Sequence, residues 1–363
     1  MTMPMRLLPR RMRPLLFAMA IAVWVTACES APTSPPEAAA TDPAVDLHRG
    51  HHGTPGTPTL LLDGLEGASG SAVGPDHQLY VTEGAAGKVS RINPRTGAKT
   101  TFASGLPASI IGIGGAIDVA FLGRTAYVLV TVVDDPTLFP TGQVNGIYRI
   151  DGPNSFTVIA DIGAYNIANP PTGFPFFVST GVQYALTPYR DGFLVTDGHM
   201  NRVLRVTRRG DISVYRSFGD IVPTGIENEG RVVYMAEAGP VPHDPADGKI
   251  VALGHRWGGD VREVAVGCRL CVDVKRGRGG ALFGLAQGVF GGGDPGAPAL
   301  PNTGKLLRVN RDGSLSTVAE ALNIPTSMEF IGNTAYIISL AGEIWTIDNV
   351  EGGWDNRGHD RRH

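Results

Sequence analysis

From residue 58 to residue 350 the chain reads as short runs in which apolar and polar positions alternate, the period expected of half-buried β-strands. "QLYVTE", "TAYVLVT", "FLVTD", "VVYMAE" and "TAYIIS" are typical. Turn-forming clusters punctuate them: "PDHQ", "LGRT", "YRDG", "ENEG" and "IGNT" each join two runs with hairpin chemistry.

The runs repeat. Six segments share the order turn, apolar strand, Gly-rich or polar loop, second strand, turn, third strand. Aligned on one aromatic or leucine, their anchors are Tyr80, Tyr127, Leu194, Tyr234, Phe283 and Tyr336, spaced by 47, 67, 40, 49 and 53 residues. Another short strand precedes most anchors, as in "GSAVGP", "AIDVAFLG", "GVQYAL", "PTGIE" and "PTSMEFIG". Each unit is thus a four-stranded antiparallel sheet that cannot bury both faces alone, and stacking around an axis buries them. The sixth unit stops after "EIWTIDNV" without a fourth strand, whereas "PTLLLDGLEGAS" near the N-terminus matches the fourth-strand segments "KTTFASGLPAS" and "LSTVAEALNIPTS". The expected fold is all-β: a six-bladed β-propeller over residues 58–350, closed by an N-terminal strand that completes the last blade.

The 49 glycines among 363 residues suit such a turn-rich chain. The first 27 residues stand apart. Arg6, Arg10, Arg11 and Arg13 precede the apolar "PLLFAMAIAVWVTA", the pattern of a signal peptide and too short for a permanent span. The segment ends "VTAC", which resembles a lipoprotein lipobox and implies lipidation of Cys28. Residues 28–57, rich in Pro, Ala and small polar residues, read as a disordered tether, and residues 351–363 as a disordered tail. The expected setting is extracytoplasmic: a monomer held to a bacterial membrane through Cys28, facing the periplasm or cell exterior. Without residues 1–27 the chain has 27 basic against 34 acidic residues, net −7, which argues against a nucleic-acid partner. An oxidising compartment makes a local disulfide the expectation for Cys268 and Cys271 in "CRLC". A zinc site would want a second ligand pair, and covalent haem a His where Val272 stands.

The blades resemble NHL and strictosidine-synthase-like propellers. The combination of "GSAVGPDHQLYVTEG", "GVQYAL", "PTGIE", "VVYMAE" and "PTSMEF" behind an export signal resembles the ScyD/ScyE family, over residues 57–350. That resemblance implies an accessory protein and transfers no catalytic motif.

Candidate chemistry gathers at one end of the ring, where the loops after the second strands and those entering the first strands emerge. Loops 132–146, 239–248 and 288–304 and the insert 163–180 are long there, and function in rigid scaffolds resides in such loops. Phe139, Phe176 and Phe290 either line an apolar pocket or pack the inserts; Gln183, His199 and His243 are weak ligand candidates beside them. Glu83, Asp197 and Glu237 share one repeat position at the end of the second strand, where an acid before a turn fixes backbone N–H groups. Asp118, Glu227 and Glu329 lie on first strands, beside the channel. In related lactonase-type propellers carboxylates there bind a divalent metal, so Ca²⁺ or Mg²⁺ is the cofactor these acids would take; water-bridged channel walls are the other reading. No catalytic residue is assigned. Three functions remain open: a binding or accessory protein that recognises a small molecule or a protein partner on its loop-rich face, a metal-dependent lactonase- or lyase-like hydrolase at the central channel, and a cell-envelope assembly scaffold.

Overall fold

Every anchor falls in the second strand of a four-stranded antiparallel sheet, and there are six such sheets. The structure, a computed structural model, describes residues 54–254, 260–293 and 296–351. The expected signal peptide, Cys28 and most of the expected tether and tail lie outside the described residues. Among the described residues no helix is long and apolar enough to cross a membrane.

Blade one comprises Ala68–Val73, Leu79–Glu83, Lys88–Ile92 and Lys99–Ala103. Blade two comprises Gly115–Leu122, Thr125–Thr131, Gly146–Gly152 and Ser155–Asp161. Blade three is Gln183–Tyr189, Gly192–Asp197, Arg202–Thr207 and Ile212–Ser217, so the stretch around Asp197 and His199 belongs to an ordinary blade. Blade four is Pro223–Asn228, Val233–Glu237, Lys249–Leu253 and Val261–Val266. Blade five is Cys271–Arg276, Leu282–Ala286, Gly304–Val309 and Leu315–Leu322. Blade six takes Pro325–Ile331, Thr334–Ser339 and Ile344–Asp348 from the C-terminal end and Thr59–Leu62 from the N-terminal end. Thr59 pairs with Thr346 and Leu62 with Ile344, which closes the ring.

Two boundaries differ from expectation. Gly56 N–H already bonds the Asp348 carbonyl, so the closing segment begins before residue 58. Glu351 is buried and accepts bonds from the Gly279 N–H, so the fold runs one residue into the expected tail. The insert after blade two also holds a short helix, Ile162–Ala168, capped by the Asp161 carboxylate on the Ala164 N–H.

Blades pack face to face through apolar clusters such as Tyr80, Val89, Val119, Val128 and Tyr148 between blades one and two. Each fully buried side chain of this kind contributes roughly 1.5–3 kcal/mol. Around the axis the stitching is polar. All six first strands carry a register shift against their second strands at the same level, and such bulges leave backbone groups unpaired. Hydroxyls from neighbouring blades take them up: Thr196 donates to the Thr224 carbonyl (2.5 Å), Thr224 to that of Cys271 (2.7 Å) and Thr326 to that of Ser69 (2.8 Å). Carboxylates do the same at two places. Asp118 accepts the Leu186 N–H of the next blade, and Asp273 that of Met328, both at 2.9 Å. Glycine makes this possible: a Cβ on Gly70 would stand 2.3 Å from Asp118 Oδ1, and one on Gly225 2.5 Å from the Asp273 Cα.

Cys268 and Cys271 form a disulfide across the link from blade four to blade five. It ties down the start of the strand that carries Asp273 and Lys275.

Candidate functional site

The first strands surround an axial cavity of about 800 Å³. Strand pairing assigns its levels. At the rim, Gln183 faces Asp197 and Pro223 faces Glu237 across their hairpins. One level in lie Asp118 and Asp273, opposite Leu129 and Leu285. A further level in, opposite the six anchors, stand Ala72, Ala120, Thr187, Glu227, Lys275 and Glu329. The walls near the rim include Ile111, Ile113, Phe176, Phe177, Val241 and Pro298.

The chemistry at the deep level centres on Lys275. Its Nζ lies 3.0 Å from Glu329 Oε1 and 3.4 Å from Glu227 Oε2. Burial alone would lower the lysine, but Glu329, Glu227, Asp273 and Asp118 together hold it well above its ordinary range, so it is charged. The carboxyls respond in the opposite direction. Burial pushes Asp118 up to about 8, against the pull of the Leu186 N–H and Lys275. Burial likewise pushes Glu329 up to about 7 and Asp273 to about 6, each opposed first by Lys275. Four carboxyls share one ammonium, so near neutral pH part of the cluster holds protons. It is a site that can both bind charge and donate hydrogen bonds.

Of the expected metal ligands, Glu227 and Glu329 are therefore brought together, but around a lysine. Asp118 stands on another blade with both oxygens accepting backbone N–H groups, from Val119 and Leu186. Among the described residues no three His, Cys, Asp or Glu side chains gather as a metal-binding group. The donor set does not fit a divalent ion, because Lys275 stands between the two glutamates and no third oxygen-donor side chain converges with them among the described residues.

The other candidates separate cleanly. Phe176, Gln183, His199 and His243 line the cavity. Phe139 and Phe290 do not: Phe139 closes a bridge with Asp135, and Phe290 packs edge-on against the His243 ring. Gln183 is fully engaged, accepting from Thr131 Oγ1 and donating to the Thr180 carbonyl and Asp197 Oδ2. His199 Nε2 accepts the N–H groups of Phe177 (2.9 Å) and Val178 (3.0 Å), so it fastens the insert to the rim. Burial holds it below its ordinary pKa, in the neutral form these bonds need. His243 is buried, with Nδ1 2.7 Å from the Gly239 carbonyl. A carbonyl only accepts, so Nδ1 carries a proton in that contact, and Nε2 has no partner among the described residues.

The shared acids of the second strands differ among themselves. Glu83 accepts from Glu66 N–H and Ser90 Oγ, and Asp197 from Asn166, Gln183 and Met200, as turn-fixing acids should. Glu237 corrects that expectation: its carboxyl has no hydrogen-bond partner among the described residues, and burial pushes it up to about 7.

Asp273 and Lys275 are the members that sequence reasoning missed. Glu227 precedes its anchor by seven residues and Glu329 precedes its own by seven, whereas Lys275 precedes Phe283 by eight. Counting back from Phe283 with one residue added to the turn would have found them.

No protein-family model matches the chain, and no curated protein matches it in sequence. Solved structures do. A gluconolactonase from Xanthomonas campestris is 13% identical, with 80% of this chain and 89% of that one covered at a TM-score of 0.55. The PQQ-bound aldose sugar dehydrogenase from Streptomyces coelicolor is 13% identical, with 82% and 99% covered at 0.52. Virginiamycin B lyase from Staphylococcus aureus is 16% identical, with 80% and 98% covered at 0.50. At these identities the likeness establishes the class, a six-bladed β-propeller, and nothing finer.

Proposed function

We propose that the chain is an extracytoplasmic, lipid-anchored propeller that binds a small molecule in its axial cavity. One observation carries the reading: a cavity of about 800 Å³ combines an apolar rim with polar groups at depth, the composition of a small-molecule site. The resemblance to the ScyD/ScyE family supports an accessory role over a scaffold role, since a scaffold would not need a cavity of this kind. A metabolite library screened by thermal shift is the test. A ligand that binds only the native chain raises its melting temperature, and the shift should vanish in Ala72→Trp, which adds an indole to the cavity wall. No shift from any compound, or shifts indifferent to Ala72→Trp, would count against the cavity as the site.

The anchor is tested separately. Cys28→Ser should move the protein from the membrane fraction to the soluble extracytoplasmic fraction; unchanged fractionation would refute lipidation.

A second reading, a hydrolase or lyase, is favoured by the carboxyls near neutral pKa. Glu329, pushed up to about 7, holds a proton at the pH where a general acid is most effective. In that reading Lys275 would stabilise developing negative charge in place of a metal ion.

A further inference from the structure

We infer that the ligand of the axial cavity is an organic cation, an ammonium or guanidinium group carried on an apolar body. The inference rests on the cavity being the binding site and goes on to name what it selects. Three observations converge. First, the deep level carries acid in excess. Lys275 offers one positive charge to Glu227 and Glu329, while Asp118 and Asp273 stand one level nearer the rim.

Second, the unpartnered groups of the two glutamates are carboxyl oxygens, which accept an N–H group wherever they are ionised. Glu227 Oε1 and Glu329 Oε2 have no partner among the described residues, because only the other oxygen of each meets Lys275. His243 supplies an independent acceptor nearer the rim. It is 94% buried by virtue of its 6% exposure, it lines the cavity, and its Nδ1–H is committed to the Gly239 carbonyl. In the neutral ring Nε2, which has no partner among the described residues, accepts an N–H group of a ligand. A carboxylate or phosphate would meet the negative charge of the ionised glutamates instead.

Third, the mouth of the cavity exposes large apolar side chains. Ile111, Phe177 and Val241 are 55%, 61% and 42% exposed at the loop-rich end and also line the cavity. Glu227 lies four residues along its strand from the rim residue Pro223, roughly 13 Å at about 3.3 Å per residue. An alkyl or aryl body of that length would cover the apolar wall while its cationic end meets the glutamates.

Octylammonium, octanoate and octanol make a probe set that holds the body fixed and changes the head. With the full mature chain, equilibrium dialysis and thermal shift should show octylammonium binding at least tenfold more tightly than either of the others. Glu329→Gln should cut the octylammonium affinity about tenfold, the effect of removing one charge-assisted contact. The paired change Glu227→Gln with Glu329→Gln leaves Lys275 unopposed at that level and should turn the preference towards octanoate. Preference for octanoate by the unmodified chain, or equal binding of all three, would overturn the inference while leaving the cavity as a binding site. Failure of all three to bind would also overturn it; the library screen then decides the cavity's role independently. If the paired variant does not fold, Glu329→Gln alone still decides, because octylammonium binding that ignores it excludes the glutamates as the recognition element.

Discussion

Deleting residues 58–66 is expected to abolish cooperative folding. The deletion removes Leu61, Leu62 and Leu65, which pack on Tyr336, Ile338 and Ile344 in the cluster that joins blade six to blade one. With Leu65 buried and Leu61 and Leu62 partly so, these side chains account for about 4 kcal/mol, a sum close to the whole stability of a marginal domain. Deletion also strips the closing strand from Ile344–Asp348 and leaves a bare edge, an invitation to intermolecular pairing. Urea unfolding followed by circular dichroism, with size-exclusion chromatography for aggregation, is the check. A deletion variant with a midpoint close to that of the full chain would show the strand to be ornamental. Leu60→Ser serves as the control: Leu60 is 45% exposed, so little change is expected.

Lys275→Met is expected to cost about 3 kcal/mol near pH 8, since removing one partner of a buried ion cluster leaves the others uncompensated. The deficit should shrink towards about 1 kcal/mol at pH 5, where protonated carboxyls no longer need the counter-charge. The unmodified chain gives the sign independently. Asp118 at about 8, Glu329 at about 7 and Asp273 at about 6 all lie above their ordinary values. Between pH 4 and those values the folded chain binds more protons than the unfolded one, so the stability these groups contribute falls as pH rises. His199 works the other way, because its lowered pKa makes stability rise as pH passes upward through its range. Urea midpoints at pH 5, 6, 7 and 8 for both proteins separate the cases. A deficit that does not change with pH would mean that Lys275 acts by packing alone.

Much of the architecture was legible because the anchors repeat. Tyr80, Tyr127, Leu194, Tyr234, Phe283 and Tyr336 each mark a second strand, and the unpaired sixth unit revealed where the N-terminal strand goes. The carboxylates beside the channel were legible for the same reason: their positions on first strands follow from the register. What they face was not. Lys275 hides in "CVDVKR", a strand that begins at a cystine and has no aromatic residue to advertise it. The aromatic rim was only half legible, because loop residues have no repeat to orient them. Phe176 turns inward while Phe290 turns onto His243, and only the path of each loop decides that. The tie between His199 and the insert joins residues 22 positions apart through backbone N–H groups, which carry no sequence signature at all.

Reading around the axis one level above Lys275, the residues run Gly70, Asp118, Ala185, Gly225, Asp273, Ser327. Glycine, aspartate, small; glycine, aspartate, small: the residue types at this level repeat after three blades. One level further in, that symmetry is broken, with Ala72, Ala120 and Thr187 on one half and Glu227, Lys275 and Glu329 on the other. The channel therefore has a left and a right. A charged guest on the axis would be drawn off centre, its charge against blades four to six and its body along the uncharged arc.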